Sequence, residues 1–202
     1  LADQMNCRVR KINSAGIIST IAGTGSCFIS GDGGPAIAAR LQYPVGVALD
    51  GAGNLYIADN GNNLVRKINT SGIITSVAGS AVYGFSGDGG PSTAAQLYYP
   101  QGIAADATGN VYICDLNNNR IRKINTAGII STIVGTGVAA FSGDGGPPVL
   151  AKINQSTGVA VDAAGKIYIA DNNNNRVRLI HVVTHGPLFI GGHTQVVTPC
   201  PA

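Results

Sequence analysis

Short apolar runs of five or six residues alternate with polar turns along most of the chain. In one stretch the runs cover about 45–49, 54–58, 64–68 and 73–78, and Val, Ile, Leu and Tyr dominate them. The breaks between them are rich in Gly, Asn and Asp, which tolerate positive φ or form Asx turns. Runs of this length and composition predict β-strands. Because no segment places apolar residues at helical spacing over ten positions, the pattern excludes a helical solenoid.

This pattern repeats with a period of 56 residues. The motif Gly-Asp-Gly-Gly-Pro occurs three times at that spacing, at Gly31–Pro35, Gly87–Pro91 and Gly143–Pro147. Each period holds four short strands, and a four-stranded antiparallel unit repeated around an axis is the blade of a β-propeller. Neighbouring copies are expected to share their hydrophobic surfaces. The one ambiguous stretch, 91–97, fits a single helical turn in the linker between blades.

A family resemblance follows from the strand sequences. Residues 43–68 read YPVGVALDGAGNLYIADNGNNLVRKI, and related sequences return at 99–124 and 157–180. With its Pro-x-Gly start, its Gly-Asn-Leu-Tyr strand and its Asn-rich close, this pattern resembles the NHL repeat. The resemblance implies a β-propeller, commonly six-bladed and used mainly as a rigid binding platform, although a few relatives are lyases or esterase-like enzymes. The Gly-Asp-Gly-Gly-Pro linker is similar to the long-period form of bacterial secreted and cell-surface proteins.

The predicted fold is therefore all-β, with about three and a half NHL-type blades of four antiparallel strands within residues 1–181. The divergent segment 182–202 is expected to be a β-rich tail that serves as a linker or a donor strand. The blade boundaries follow from the repeat: a half blade at 3–25 and blades at 43–79, 99–135 and 157–181.

The number of blades raises the question of how the ring closes. Asp3–Asn13 aligns with Asp59–Asn69, so the first blade is expected to lack its two inner strands. Closed propellers usually have four to eight blades. Three arrangements stay open: a fragment of a longer chain, copies that complete one another in a closed ring, or an open helical assembly. The expected partners are other copies or the missing parts of a longer chain, joined through blade edges and the tail.

Composition narrows the class of function. The net charge is only +3, and charged residues make up 11% of the chain. This is far from the basic profile of a nucleic-acid-binding protein. No apolar run approaches the ~18 residues that a membrane-spanning helix needs. Low charge, four cysteines and many hydroxylated turns favour an extracellular or cell-surface location.

Two sets of charged residues recur with the repeat. A basic ladder on the third strands is a weak candidate for binding phosphates or acidic glycans. Its residues are Arg10, Arg66, Arg122 and Arg178. The hairpin register places Asp115 opposite Arg120, which predicts that much of the strand charge is paired. The aspartates of the Gly-rich loops are expected to be structural turn residues, because one carboxylate per loop is far short of a calcium site. These are Asp32, Asp88 and Asp144.

A catalytic site is harder to draw on the blades. Asp50, Asp106 and Asp162 end the innermost strands, where metal-dependent propeller enzymes gather ligands, but each begins a turn and is better explained as an Asx cap. The three histidines all lie at or beyond position 181. No His–carboxylate base or catalytic triad can therefore be assembled within the repeats. We predict no catalytic residue, no metal and no cofactor, and a metal-dependent lyase or lactonase is the less favoured alternative.

Covalent features complete the list of candidates. The four cysteines allow two disulfides in three pairings, or buried thiols, and their spacing does not suggest zinc. They are Cys7, Cys27, Cys114 and Cys200. Asn69 and Asn154 begin Asn-x-Ser/Thr sequons in predicted turns and are candidates for glycosylation. The sequence thus predicts a non-catalytic extracellular structural or assembly module. A protein- or glycan-binding platform of a larger secreted protein is the alternative.

Overall fold

The computed structural model of the chain describes residues 1–181 and 196–199. These residues form four antiparallel sheets. Each sheet is one blade and uses strands that are consecutive in the sequence, which confirms the predicted all-β fold. The strands of the first and second blades are β1 (Ala2–Asp3), β2 (Arg8–Ile12) and β3 (Ile18–Ala22), then β4 (Pro44–Leu49), β5 (Leu55–Asp59), β6 (Leu64–Ile68) and β7 (Ile74–Ala78). Those of the third and fourth are β8 (Pro100–Ala105), β9 (Val111–Asp115), β10 (Arg120–Ile124) and β11 (Ile130–Val134), then β12 (Gly158–Val161), β13 (Ile167–Asp171), β14 (Arg176–His181) and β15 (Val196–Pro199).

Asparagine-rich turns join the second and third strands of each blade. A single 3-10 turn follows the second strand, and the next residue is Asn63, Asn119 or Asn175 in the left-handed conformation in the three full blades. Asparagine is one of the few residues with a side chain that adopts this conformation readily. The reversal sets the register of the hairpin, with Asp59 opposite Leu64 and Asp115 opposite Arg120, as the repeat predicts.

The innermost strands lie side by side around the hub. β4 packs against β8, and β8 packs against β12. The approach is close at Gly102, where an added Cβ would lie 2.6 Å from the carbonyl oxygen of Thr157 and 3.1 Å from the Cys114 sulfur. An added Cβ at Gly46 would overlap the carbonyl oxygen of Gln101. Glycine at this position of the inner strand therefore sets the spacing between blades.

The hydrophobic core lies between blades rather than within them. One buried cluster joins Tyr56 and Val65 of the second blade to Ile103 and Ile113 of the third. A second cluster joins the third blade to the fourth, and a third joins the first blade to the second. Since each interface needs two blades, each blade is stabilised by its neighbours.

The Gly-rich linkers lie along the outer strand of the blade that follows them. Pro35 forms a β-bridge with Ile73, and Pro91 forms the equivalent bridge with Ile129. The helical turn expected within 91–97 is present at Ser92–Ala94. These contacts bring the linker aspartates back to the third strand of the next blade, where the buried arginines lie.

The two ends of the chain complete their sheets to different degrees. The first blade keeps a two-residue piece of its second strand, β1, and so contains three strands rather than the outer pair alone. In the fourth blade Val196–Pro199, from the tail predicted as a linker or donor, forms the outermost strand of its own sheet. The rest of the tail, including Cys200, lies outside the described residues.

Candidate functional site

A buried arginine occupies the centre of the third strand in the second blade. Arg66 is fully buried, and its guanidinium lies 3.3 Å from Asp59 of the neighbouring strand and 2.5 Å from Asp32 of the linker. It also donates hydrogen bonds to the carbonyl oxygens of Arg40 and Ser30. One side chain thus ties the hairpin to both ends of the linker.

The same network recurs one period and two periods later. Arg122 pairs with Asp115 and Asp88 at 3.2 and 2.8 Å, and Arg178 is likewise buried between two aspartates. These three arginines do not offer a basic surface, so this part of the predicted ladder is corrected: burial and pairing leave them no free face. Arg10 is partly exposed and lies 3.5 Å from Asp3. Asp32, Asp88 and Asp144 form ion pairs with these arginines from the linkers.

The predicted charge pairing was right in register and wrong in partner. Asp115 lies opposite Arg120 but pairs with the buried Arg122, its diagonal neighbour on the same face of the sheet. The guanidinium of Arg120 instead stacks 3.7 Å from the Phe85 ring centroid and donates to the carbonyl oxygen of Thr136. Since a buried arginine needs a carboxylate more than a half-exposed one does, Arg122 takes the acid.

Burial is the largest influence on the pKa values of Asp59 and Asp115, which pair with buried arginines. It raises the pKa of Asp59 to about 6, while hydrogen bonds from Asn62 and the Gln42 amide, together with the charge of Arg66, act in the opposite direction. Burial likewise raises the pKa of Asp115. Both carboxylates have their oxygens occupied by donors from the blade itself, which fits a scaffold role.

The turns after the inner strands hold the second set of aspartates. Asp50 Oδ1 accepts hydrogen bonds from the amides of Ala52 and Asn54, and its other oxygen accepts one from the Tyr56 hydroxyl at 3.2 Å. Asp106 and Asp162 make the corresponding turn contacts. These are Asx turns, as the sequence predicts. Within the described residues no three His, Cys, Asp or Glu side chains are grouped as metal ligands.

Sequence reasoning missed a row of three tyrosines beside the third blade. The ring centroids of Tyr83 and Tyr98 are 5.2 Å apart, and those of Tyr98 and Tyr99 are 5.1 Å apart. Tyr83 is 66% exposed and Tyr99 is 41% exposed. We call these residues the tyrosine row. The sequence contained a signal for this row, because only one period has tyrosine at all three positions. The equivalent residues are Cys27, Gln42 and Tyr43 in the preceding period and Ala139, Asn154 and Gln155 in the following one.

A cleft of about 650 Å³ opens between the first and second blades. The matching cleft between the second and third blades, of about 570 Å³, is lined by the ring of Tyr56. Within the described residues, no aromatic ring lines the cleft between the first and second blades. Leu1, Ile12 and Leu49 line it instead, and each is more than half exposed. We call this the first cleft.

Three of the cysteines lie in the described residues, and they include both a disulfide and a buried thiol. Cys7 and Cys27 form a disulfide that ties the first hairpin to its following loop. Cys114 is a buried thiol in the hub, and burial raises its pKa far above the ordinary value. Of the two sequon asparagines, Asn69 is exposed and uses its side-chain oxygen to accept two turn amides, and Asn154 is half-buried. No helix in the described residues is long and apolar enough to span a membrane.

Comparison with known sequences identifies the repeats. The sequence model of the teneurin NHL domain matches residues 26–86 and 84–142, and that of the NHL repeat matches 155–178. Mouse teneurin-4 is 32% identical over 197 residues, and chicken teneurin-1 is 30% identical over 197. Both alignments cover 85% of this chain but only 7% of the relative. The chain thus corresponds to a small part of those proteins.

Solved structures share the fold. A Bacteroides thetaiotaomicron protein of unknown function superposes with a TM-score of 0.67 at 25% identity, covering 87% of this chain and 42% of that one. Virginiamycin B lyase from Staphylococcus aureus superposes with a TM-score of 0.53 at 18% identity, covering 96% and 57%. In both cases the match uses roughly half of the solved chain. The chain therefore belongs to the NHL-repeat family, and its repeats match the form found in the teneurin NHL domain.

Proposed function

We propose that this chain supplies about three and a half blades of an extracellular or cell-surface β-propeller that acts as a non-catalytic assembly and binding module. Its open edges join further blades, which come from a second copy or from a longer chain of the same protein. The observation that carries this proposal is the first cleft. In the described residues this cleft leaves apolar side chains exposed, whereas the ring of Tyr56 lines the matching cleft between the second and third blades.

The hub supports the same proposal at the opposite end. Gly158 occupies the position of Gly46 and Gly102 in the repeat, but nothing in the described chain presses on it from the adjoining side. The nearest atom to an added Cβ is the Ala170 Cβ, at 3.4 Å. Glycine is required at this position only where another inner strand lies beside it. Gly158 therefore leaves room for a further inner strand.

The location and the non-catalytic role have separate support. The Cys7–Cys27 disulfide favours an oxidising compartment. The aspartates in the described blades are largely engaged: those of the Arg networks pair with arginine, and those of the inner turns accept turn amides. His185 and His193 lie outside the described residues. Metal analysis of the purified protein tests this part, since a stoichiometric metal ion with lyase or lactonase activity would overturn it.

The mass of the native particle tests the assembly. Sedimentation velocity and electron microscopy of the purified 202-residue chain should show particles of at least two copies with a closed or helical outline. A Gly158→Leu variant should lower the association, because its side chain would obstruct the free hub edge. A Leu150→Ala variant is the matched control, since that exposed side chain lies in a linker. A compact, stably folded chain that stays monomeric at every concentration tested would overturn the proposal.

A further inference from the structure

We propose that the tyrosine row is a binding site for a neutral oligosaccharide. Its members are brought together from two places, Tyr83 from the loop after β7 and the adjacent pair Tyr98 and Tyr99 from the segment that leads into β8. This inference deepens the proposed function, because it rests on the propeller acting as a platform and names the ligand class for one part of it.

The rings are not needed to hold the loop in place. In the third blade the Asn118 side chain donates a hydrogen bond to the carbonyl oxygen of Gly84, at 2.6 Å. The same bond runs from Asn174 to Ala140 at 2.9 Å in the next blade, where alanine replaces Tyr83. Since the loop keeps its anchor without the ring, a largely exposed tyrosine there needs another explanation.

The row is rigidly mounted. The Tyr98 amide donates to Asp115 at 2.7 Å, and the Tyr98 carbonyl oxygen accepts from the Asn117 amide at 3.1 Å. The Tyr99 amide donates to the Asn63 side chain at 2.9 Å, which joins the row to the preceding blade. A ligand would therefore meet rings whose backbone is already fixed, and little ordering entropy is lost on binding.

The chemistry of the surroundings favours a neutral sugar. Tyrosine offers an apolar ring face against which the C–H face of a pyranose can pack, and a hydroxyl that exchanges hydrogen bonds with sugar hydroxyls. The Asn117 side-chain amide, next to Tyr98, has no hydrogen-bond partner among the described residues. Of the nearby charged groups, Asp115 pairs with Arg122, and the guanidinium of Arg120 lies against the Phe85 ring.

Calorimetric titration of the full chain with cellohexaose, chitohexaose and mannohexaose tests the assignment, with a heparin hexasaccharide as the charged probe. At least one neutral sugar should bind, and Tyr83→Ala should weaken its binding by about tenfold. Tyr83→Trp should retain binding, because it keeps an aromatic face. The matched control is Tyr43→Ala, which removes the repeat equivalent of Tyr99 from a blade that lacks the row.

Three results would overturn the inference: no neutral sugar binds at millimolar concentration, heparin alone binds, or Tyr83→Ala and Tyr43→Ala weaken binding equally. Circular dichroism and sedimentation of each variant separate this failure from that of the proposed assembly. Sugar binding by a monomer would support the site and overturn the assembly. A multi-chain particle that ignores every neutral sugar would do the reverse.

Discussion

Each buried arginine is surrounded by groups that lose their compensation if it is removed. Arg122 is fully buried, and so is its partner Asp115. Replacement of Arg122 by alanine would leave a buried carboxylate without its counter-charge, so we expect a loss of about 3–5 kcal/mol in the free energy of unfolding. Urea denaturation monitored by circular dichroism measures it.

The control for that variant is another arginine. Arg40 is exposed and its side chain forms no ion pair in the described part of the chain. Arg40→Ala should change the free energy of unfolding by less than about 0.5 kcal/mol. Equal losses in the two variants would contradict the structural role given to the buried network.

The carboxylate of Asp106 makes the stability of the fold depend on pH in the acid range. Burial acts to raise the pKa of Asp106, but hydrogen bonds from Asn110, Thr108 and Tyr112 outweigh it and hold that pKa at about 2. Because the folded value lies below the unfolded one, near 3.8, this carboxylate stabilises the fold above pH ~4 and loses that effect as the pH falls towards 2.

Thermal unfolding of Asp106→Asn tests this sign. The variant should be less stable than the parent chain at pH 6, and the difference should shrink as the pH is lowered from 4 to 2. Asp106 forms no ion pair with a buried arginine in the described residues, so the Arg networks are expected to titrate alike in both proteins. A difference that stays constant over this range would show that the loss comes from the turn geometry and not from the charge.

At the scale of the element, substitutions in the inner strands test what sets the spacing between blades. Gly102→Ala would place a Cβ 2.6 Å from a backbone oxygen of the next blade, and such overpacking should cost about 1–3 kcal/mol. Gly158→Ala is the matched variant, with only an ordinary contact at 3.4 Å. In the separated chain it should be neutral or slightly stabilising, and chemical denaturation compares the two. In an assembled particle Gly158→Ala should weaken association instead, and equal behaviour in both states would argue against a neighbour at that edge.

The strands were the easiest elements to predict from the sequence. Their apolar runs and Asn-rich turns place β4 and β7 within a residue of the expected positions, because turn chemistry and strand propensity agree there. Hairpin register alone could not predict the partner of Asp115. That partner, Arg122, belongs to a network with a second acid, Asp88, which comes from the linker and not from the hairpin. The tyrosine row joins a loop to a strand entry, and only the packed structure brings these together.

At the scale of the whole molecule, the chain is an arc whose blades each lean on the next. The clusters between blades and the hub contacts of β4, β8 and β12 run in chain order. Such a scaffold gains stability as neighbours are added. The exposed apolar side chains of the first cleft therefore mark the place where the next increment of stability would be obtained.

The constant period has a consequence for how such a protein changes length. Since equivalent residues are spaced by 56, removal of 57–112 would fuse the start of β5 to the end of β9 and keep every side chain on its original face. We expect a cooperative, folded product that is one blade shorter. Removal of 57–111 leaves one residue too many inside the strand and turns one half of it over, so it should not fold. Cooperative unfolding and proteolytic resistance distinguish the two, and equal stability would contradict this expectation.

A gene built from such repeats can gain or lose whole blades by recombination. The number of blades then depends on how many copies of the repeat the gene holds, and not on the chemistry of the individual blade.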